Sequence, residues 1–185
     1  MEFGVRHYPQ LEIDLDKLED NLRALKSRMD ASGIRLAGVV KGFNGLPQAA
    51  RIYEKVEYSS IASSRLDHLR MNGIAVPLML IRIPMLSEVE ETARWTDISL
   101  HSEPEVLRAM ERAVKAAAGK RRHKVILMVD LGDLREGFWD QDELVQTALE
   151  VEREMPHLEL AGVGTNLGCY GTVQATPEKM NQLVA

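Results

Sequence analysis

Short apolar runs alternate with longer amphipathic stretches along most of the chain. Six of these runs are apolar or small over their whole length, which is typical of strands covered on both faces in a parallel sheet. They are "LAGVVK" (36–41), "YSSIASS" (58–64), "PLMLIRI" (77–83), "DISL" (97–100), "KVILMVDL" (124–131) and "LELAGVGTN" (158–166). The pattern therefore predicts six parallel strands, preceded by a leader, "LEIDL" (11–15).

The stretches between the runs carry helix signals. In the first, apolar residues recur every three or four positions, which predicts one buried helical stripe; they are Leu15, Leu18, Leu22, Leu25 and Met29. Asp16 with Glu19 predicts a capping box for this helix, and Gly33 predicts its end. Four further helix starts are predicted at Pro47, at Ser87 with Glu90, at Ser102 with Pro104 and Glu105, and at Thr176-Pro177.

Strands that alternate with helices indicate an α/β fold with a parallel sheet covered by helices. A closed (β/α)8 barrel typically takes about 250 residues, whereas this chain of 185 residues has room for about six strand–helix units. The pattern fits either an open doubly wound sheet or the front part of a barrel. Length alone slightly favours the open sheet.

Composition narrows the range of partners. The net charge is -5, the pI is near 5.6 and the basic residues are dispersed, which disfavours nucleic-acid binding. The one basic cluster, residues 120–124, follows a predicted helix and is interpreted as complementing its C-terminus. A single cysteine, Cys169, fits a reducing compartment. The first ten residues lack the apolar core of a signal peptide, and the apolar runs are too short to cross a bilayer. We therefore expect a cytoplasmic protein with no membrane partner.

Each predicted strand is followed by polar side chains. In parallel α/β folds the carboxyl ends of the strands form the rim where ligands bind. Each residue taken alone is more typical of a solvated loop, but together they predict a polar mouth suited to an anionic small molecule. The residues are Lys41, Ser63, Arg65, Arg82, His101, Asp130, Arg135, Asn166 and Tyr170.

Lys41 carries the most specific chemistry of this group. A lysine amine is a nucleophile only when it is deprotonated, so a reactive lysine needs its pKa lowered by burial or by neighbouring cations. The end of an apolar strand, on a rim shared with Arg82 and Arg135, offers both influences. Spacing alone leaves a solvated strand end as the other interpretation.

Several ordered motifs resemble a known family. "IDLDKLEDNL" (13–22) followed by "AGVVKGFNG" (37–45) is similar to the start of the fold-type III pyridoxal-phosphate enzymes, the alanine racemase barrel family. Downstream, the chain resembles the ornithine racemase branch in "IRIPMLSEVEE" (81–91), "DISLHSEPEV" (97–106), "ILMVDLGDLREGFW" (126–139) and "GVGTNLGCYG" (162–171). The resemblance implies a partial TIM-type (β/α)8 barrel and replaces the preference for an open sheet.

The resemblance implies roles for single residues. Lys41 matches the lysine that holds pyridoxal 5'-phosphate as an internal aldimine, and Gly42 and Gly45 let the backbone pass close to a flat ligand. Arg135 matches the arginine that approaches the cofactor's phenolic oxygen, with a salt bridge to Asp133 or Glu136 as the alternative.

Asn166 takes the place where alanine racemases carry a histidine beside the pyridine ring. Ser63 and Arg82 are assigned to cofactor binding by strand position only. The chain also departs from alanine racemases at Gly45, where they have a tyrosine that binds the cofactor phosphate. Both departures favour the ornithine branch over alanine as the substrate.

The resemblance implies an isomerase that racemises ornithine or a similar amino acid, acting as a homodimer. Residues 1–185 are expected to form the N-terminal part of the barrel domain, with the last strands, the phosphate loop and a C-terminal β domain absent. The chain alone is therefore expected to be inactive. Two alternatives are a non-catalytic pyridoxal-phosphate carrier and an inactive, truncated racemase.

Overall fold

The computed structural model describes residues 9–71, 73–117, 122–168 and 173–184. The predictions made for Cys169, Tyr170 and residues 120 and 121 of the basic cluster lie outside the described residues. Of the rest of that cluster, Arg122 donates to the carbonyl of Leu158, and Lys124 lies 3.6 Å from the carboxylate of Glu159. These two cations therefore join neighbouring strands of the sheet.

Six strands form where the apolar runs predict them. They are β1 (Ala37–Val39), β2 (Ser60–Ser63), β3 (Leu78–Leu80), β4 (Ile98–His101), β5 (His123–Val129) and β6 (Leu158–Thr165). The helices are α1 (Leu15–Asp30), α2 (Pro47–Lys55), α3 (Val89–Trp95), α4 (Pro104–Ala116), α5 (Gln141–Glu154) and α6 (Pro177–Val184). The leader at 11–15 forms no strand, and within the described chain no helix is long and apolar enough to span a membrane.

The strands pair in sequence order, β1-β2-β3-β4-β5-β6, and every pair is parallel. A doubly wound sheet reverses its strand order at a switch point, whereas a barrel adds each strand beside the previous one. The sequential order confirms the partial barrel, and the open doubly wound sheet favoured by length alone is wrong. Within the described residues β1 and β6 are edge strands that do not pair with each other.

The register sorts the side chains onto two faces, because successive residues of a strand point to opposite sides. The row of Gly38, Ile61 and Leu78 faces the helices, with Ile61 and Leu78 in a buried cluster. The adjacent row faces away from the helices and begins with Val39, which is 38% exposed. This second face is the inner face of the partial barrel.

Two separate apolar clusters hold the helices to the sheet. The first joins α1 and α2 to β1–β3 and includes Leu22, Val40, Tyr53, Ile61 and Leu80. The second joins α3, α4 and α5 to β5 and β6, and its fully buried members include Leu107, Met110, Val125, Leu127 and Leu158. Both lie on the helix side of the sheet, so neither fills the inner face.

The N-cap of helix α1 lies two residues before the one predicted. Its N-cap is Asp14, whose carboxylate accepts a hydrogen bond from the backbone N–H of Lys17 at 3.1 Å. Asp16 lies in the first turn, and Glu19 instead pairs with Arg23 and Lys55. The predicted capping box is therefore wrong, because Asp14 already satisfies the free N–H of the first turn.

The other predicted starts agree more closely with the structure. Pro47 and Pro177 are the first residues of α2 and α6, and α4 begins at Pro104. The region of Ser87 and Glu90 contains a short 3-10 turn, Leu86–Glu88, before α3.

Gly38 allows α2 to pack directly on β1, which gives a test of this contact. A Cβ atom at position 38 would lie 2.2 to 2.8 Å from three ring atoms of Tyr53. Gly38→Ala should therefore lower the free energy of unfolding by about 1–3 kcal/mol, as overpacking does. Gly42→Ala is the control, since its added Cβ meets nothing within 4 Å. Equal stability of the two variants in urea unfolding would contradict the packing of Gly38 on Tyr53.

Candidate active site at the carboxyl ends of the strands

Lys41 lies immediately after β1, where the chain leaves the sheet. Val40 is fully buried in the first apolar cluster and donates its N–H to the carbonyl of Ala62. Lys41 begins a 3-10 turn, Lys41–Phe43, and its side chain is exposed. Within the described residues its ammonium group makes no hydrogen bond and no ion pair. The amine is thus open to a ligand, although the burial expected from the sequence is missing.

Gly42 and Gly45, the two glycines of this turn, have different surroundings. Gly45 has φ +69°, and a Cβ there would lie 2.8 Å from the Cβ of His68. Gly42 faces open space, with nothing within 4 Å of an added Cβ. Gly45 is therefore required by the fold itself, while only Gly42 leaves room beside Lys41.

The segment after β5 is a closed loop from Asp130 to Phe138. The carboxylate of Asp130 accepts hydrogen bonds from the N–H of Gly132 at 2.7 Å and of Leu134 at 3.2 Å. Phe138 returns to the strand, since its N–H donates to Met128 and its carbonyl accepts from the N–H of Asp130. At Gly137, φ is +124° and a Cβ would lie 2.4 Å from the Asp130 nitrogen. Backbone and side-chain bonds together fix the loop that carries Arg135.

Glu136 brings Arg135 and Asn166 together. Its Oε1 lies 3.2 Å from Nη2 of Arg135 and accepts a hydrogen bond from Nδ2 of Asn166 at 2.9 Å. The Glu136 side chain is 12% exposed, whereas the Arg135 side chain is 49% exposed. The salt bridge to Glu136, given as the alternative for Arg135, is therefore present. The contacts of Arg135 and Asn166 with a cofactor stay predictions.

Arg82 is held by groups of the protein. Its Nε donates to the carbonyl of Ser64 at 2.7 Å, and two guanidinium nitrogens lie 2.7 Å from the carboxylate of Glu88. The hydrogen bonds from Arg82 to Glu88 are the main cause of the lowered pKa of Glu88. Arg65 makes a similar pair with Asp67 and lowers the pKa of that carboxyl to about 2. Both arginines line a small polar cleft at the ends of β2 and β3.

Ser63 is fully buried, and its hydroxyl is shared between two groups of the protein. It lies 3.0 Å from Nδ1 of His68 and accepts the N–H of Arg65 at 3.2 Å. The structure thus gives Ser63 and Arg82 partners within the fold. Their assignment to cofactor binding stays a prediction.

His101 does not contribute to the rim, although it is the last residue of β4. Its ring is fully buried on the helix side, where the hydroxyl of Ser99 lies 2.8 Å from Nε2 of both His101 and His123. Nδ1 of His101 has no hydrogen-bond partner among the described residues. Burial, followed by the nearby His123, lowers the pKa of His101 to about 3. Successive residues of a strand point to opposite faces of the sheet, and His101 occupies a position that points to the helix side.

Two residues that organise the rim lie away from the strand ends. Glu136, predicted only as a salt-bridge partner of Arg135, contacts both Arg135 and Asn166. His68, which the sequence did not single out, contacts the predicted Ser63 and also Asn44. The position of Glu136 between an arginine and a turn glycine is a signal that could have pointed to it. Nothing in the local sequence distinguishes His68 from a surface histidine.

The fold and its rim define the front part of a parallel α/β barrel with its polar residues at the strand ends. The chain matches the family described as "Alanine racemase, N-terminal domain" over residues 13–185. It belongs to this family, as the sequence motifs predicted.

Two relatives match along almost the whole chain. An ornithine racemase of Acetoanaerobium sticklandii is 36% identical over 177 residues, covering 95% of this chain and 49% of the relative. A lysine racemase of Thermotoga maritima is 36% identical over 180 residues, covering 96% of this chain and 49% of the relative. The chain therefore spans about half the length of these relatives.

A solved structure has the same fold. The alanine racemase of a D-cycloserine-producing Streptomyces lavendulae superposes with a TM-score of 0.74 at 25% identity, covering 93% of this chain and 45% of that one. The six-stranded sheet therefore has the architecture of an alanine racemase barrel.

The burial of His101 predicts a pH dependence of stability. The unfolded chain takes up a proton at His101 below its ordinary pKa of 6.5, whereas the folded protein resists this until about pH 3. The free energy of unfolding should therefore fall as the pH drops from 6.5 towards 3, and this residue alone accounts for about 2 kcal/mol between pH 6.5 and 5.

The matched variant is His101→Gln, which keeps a donor towards Ser99 and cannot titrate. Urea unfolding at pH 7 and pH 5 should show a smaller loss of stability in the variant than in the original protein. An identical loss in both proteins would show that the unfolding equilibrium does not depend on proton uptake by His101.

Proposed function

We propose that the protein is an amino-acid racemase that uses pyridoxal 5'-phosphate, with Lys41 as the residue that carries the cofactor. The observation that supports this most directly is the exposed amine at the end of the first strand of an alanine racemase barrel, which has no partner among the described residues. Ornithine or a similar amino acid such as lysine is the proposed substrate, since relatives named for both match the chain.

We infer that residues 1–185 form the N-terminal part of the cofactor-binding barrel domain. Among the described residues, β1 and β6 each have a free edge, where further strand–helix units would close the sheet. The chain covers 49% of each of the two matched relatives. The other half of these relatives has no counterpart in this chain. We propose that this half supplies the last strands, a loop for the cofactor phosphate and a C-terminal β domain, and that the active protein is a cytoplasmic homodimer.

The side chains present on the rim fit the cofactor in three respects. Lys41 offers an exposed amine for its carbonyl carbon, Arg135 offers a side chain that is 49% exposed for its phenolic oxygen, and Asn166 offers a neutral amide that shares Glu136 with Arg135. Among the described residues, nothing lies within 4 Å of a Cβ atom added at Gly42, so the backbone next to Lys41 is open. When bound, the cofactor supplies an electron sink that stabilises the charge left when the α-proton departs.

The residues of this chain would have two roles: they would hold the cofactor, and one of them would transfer a proton. Lys41 would attach the cofactor covalently and, when its amine is free, take or return the proton of the substrate's α-carbon on one face. Arg135, which pairs with Glu136 at 3.2 Å, would stabilise negative charge on the cofactor's phenolic oxygen. An acid/base on the opposite face is needed for racemisation, and we assign it to the rest of the protein.

Chemical trapping tests the proposed role of Lys41. When the protein is mixed with pyridoxal phosphate and reduced with borohydride, mass spectrometry of its peptides should locate the added group on Lys41. Lys55 is an internal control, because it is 60% exposed but paired with Glu19 on the helix layer. Predominant labelling of Lys55, or of any lysine other than Lys41, would sink the proposed attachment site.

Loss of deuterium from the α-carbon distinguishes a racemase from a cofactor carrier. The complete protein should remove α-deuterium from ornithine and lysine at about 1 per second or faster, and more slowly from alanine. Lys41→Ala should abolish the exchange, because both the attachment point and the base are lost. If cofactor binds to Lys41 and all three amino acids keep their deuterium, the non-catalytic carrier is correct and the racemase is not.

A further inference from the structure

We propose that His68 is a positioning residue that clamps the turn carrying Lys41 to the end of β2. The inference rests on the proposed function for the importance of Lys41, but the clamp itself rests on contacts of the turn. His68 lies in a short 3-10 turn, Asp67–Leu69, and is 7% exposed. It therefore acts from inside the protein and does not itself meet a ligand at the mouth.

The ring of His68 joins two segments of the rim through its two nitrogens. Nδ1 lies 3.0 Å from the hydroxyl of Ser63 at the end of β2, and Nε2 lies 3.0 Å from Oδ1 of Asn44 in the Lys41 turn. Since Asn44 is three residues after Lys41, the ring spans the gap between the first and second strand exits.

The partners fix the direction of two of these three hydrogen bonds. The backbone N–H of Arg65 donates to the Ser63 hydroxyl. Oδ1 of Asn44 can only accept, so Nε2 of His68 donates to it. The third bond, between the Ser63 hydroxyl and Nδ1 of His68, completes the link from the end of β2 to the Lys41 turn.

The turn needs this support because its backbone is strained. Asn44 has φ +56°, in the left-handed region, and Gly45 follows with φ +69°. Such conformations persist only where surrounding contacts hold them. Phe43 stacks on Tyr53 of α2 with ring centroids 6.2 Å apart, while Gly45 lies so close to His68 that a Cβ atom at position 45 would be 2.8 Å from the Cβ of His68. The turn is thus held on one side by α2 and on the other by His68. The backbone of Lys41, at the start of the turn, is therefore held in place.

Two substitutions of His68 separate positioning from general stability. The amide nitrogen of glutamine lies about where Nε2 of histidine lies, and the amide of asparagine lies about where Nδ1 lies. His68→Gln therefore keeps the donor to Asn44 and loses the bond to Ser63, whereas His68→Asn does the reverse. Each variant loses one buried hydrogen bond, so a merely structural role would affect both equally.

The first measurement is hydrogen exchange of the amides of residues 44–46, all of which donate within the turn. His68→Asn should accelerate their exchange by about ten-fold, as the loss of one local restraint does, while His68→Gln should leave it within about two-fold. Amides of β5 serve as the control for global unfolding and should not change. Asn44→Gly, which tolerates the positive φ and removes the acceptor, should resemble His68→Asn. Equal exchange in the two His68 variants would overturn the clamp.

The second measurement is the rate at which Lys41 is trapped by pyridoxal phosphate and borohydride, relative to Lys55. We expect this ratio to fall by about ten-fold or more in His68→Asn and to be restored in His68→Gln. If Lys41 is trapped at the normal relative rate in His68→Asn, then His68 does not position the amine. Failure of the original protein to label Lys41 would instead overturn the proposed function, while the exchange data would still decide whether His68 holds the turn.

Discussion

Parallel pairing in strict sequence order is the constraint on which the rest of the structure depends. Because each strand lies beside its predecessor and runs in the same direction, all six carboxyl ends meet along one rim. Residues as distant in sequence as Lys41 and Asn166 therefore share that rim. Helices α1 to α5 pack on one side of the sheet, which leaves its inner face without a helix layer among the described residues.

The sequence predicts the elements well because their signals are local. Six apolar runs become six strands, and three prolines mark helix starts at the predicted residues. The start of α1 is missed by two residues because Asp14 and Asp16 are equally good caps in sequence terms, and only the backbone geometry selects Asp14. The pattern of apolar runs does not predict the order of the strands in the sheet. The family resemblance does.

The candidate site is predicted in part, for the same reason. Strand ends locate Lys41, Arg135 and Asn166 on the rim, since position in an element follows from the pattern. The hydrogen-bond and salt-bridge partners of these side chains do not follow from the sequence pattern. The binding of Arg82 to Glu88 and the sharing of Glu136 depend on how loops return to the sheet, and the outward direction of His101 depends on strand parity. Residues that organise others, such as His68, are visible only once these contacts are known.

The division of the apolar core into two clusters has a consequence for how the molecule moves. The clusters are separated at β4, where Ser99, His101 and His123 put polar groups on the helix side of the sheet. The register of β3 and β4 has two pairs, Met79–Ile98 and Leu80–Ser99, the shortest ladder among the described strands. Cooperative opening follows contiguous apolar clusters. We therefore expect the boundary between the third and fourth strands to be where the two halves of the sheet open independently of each other.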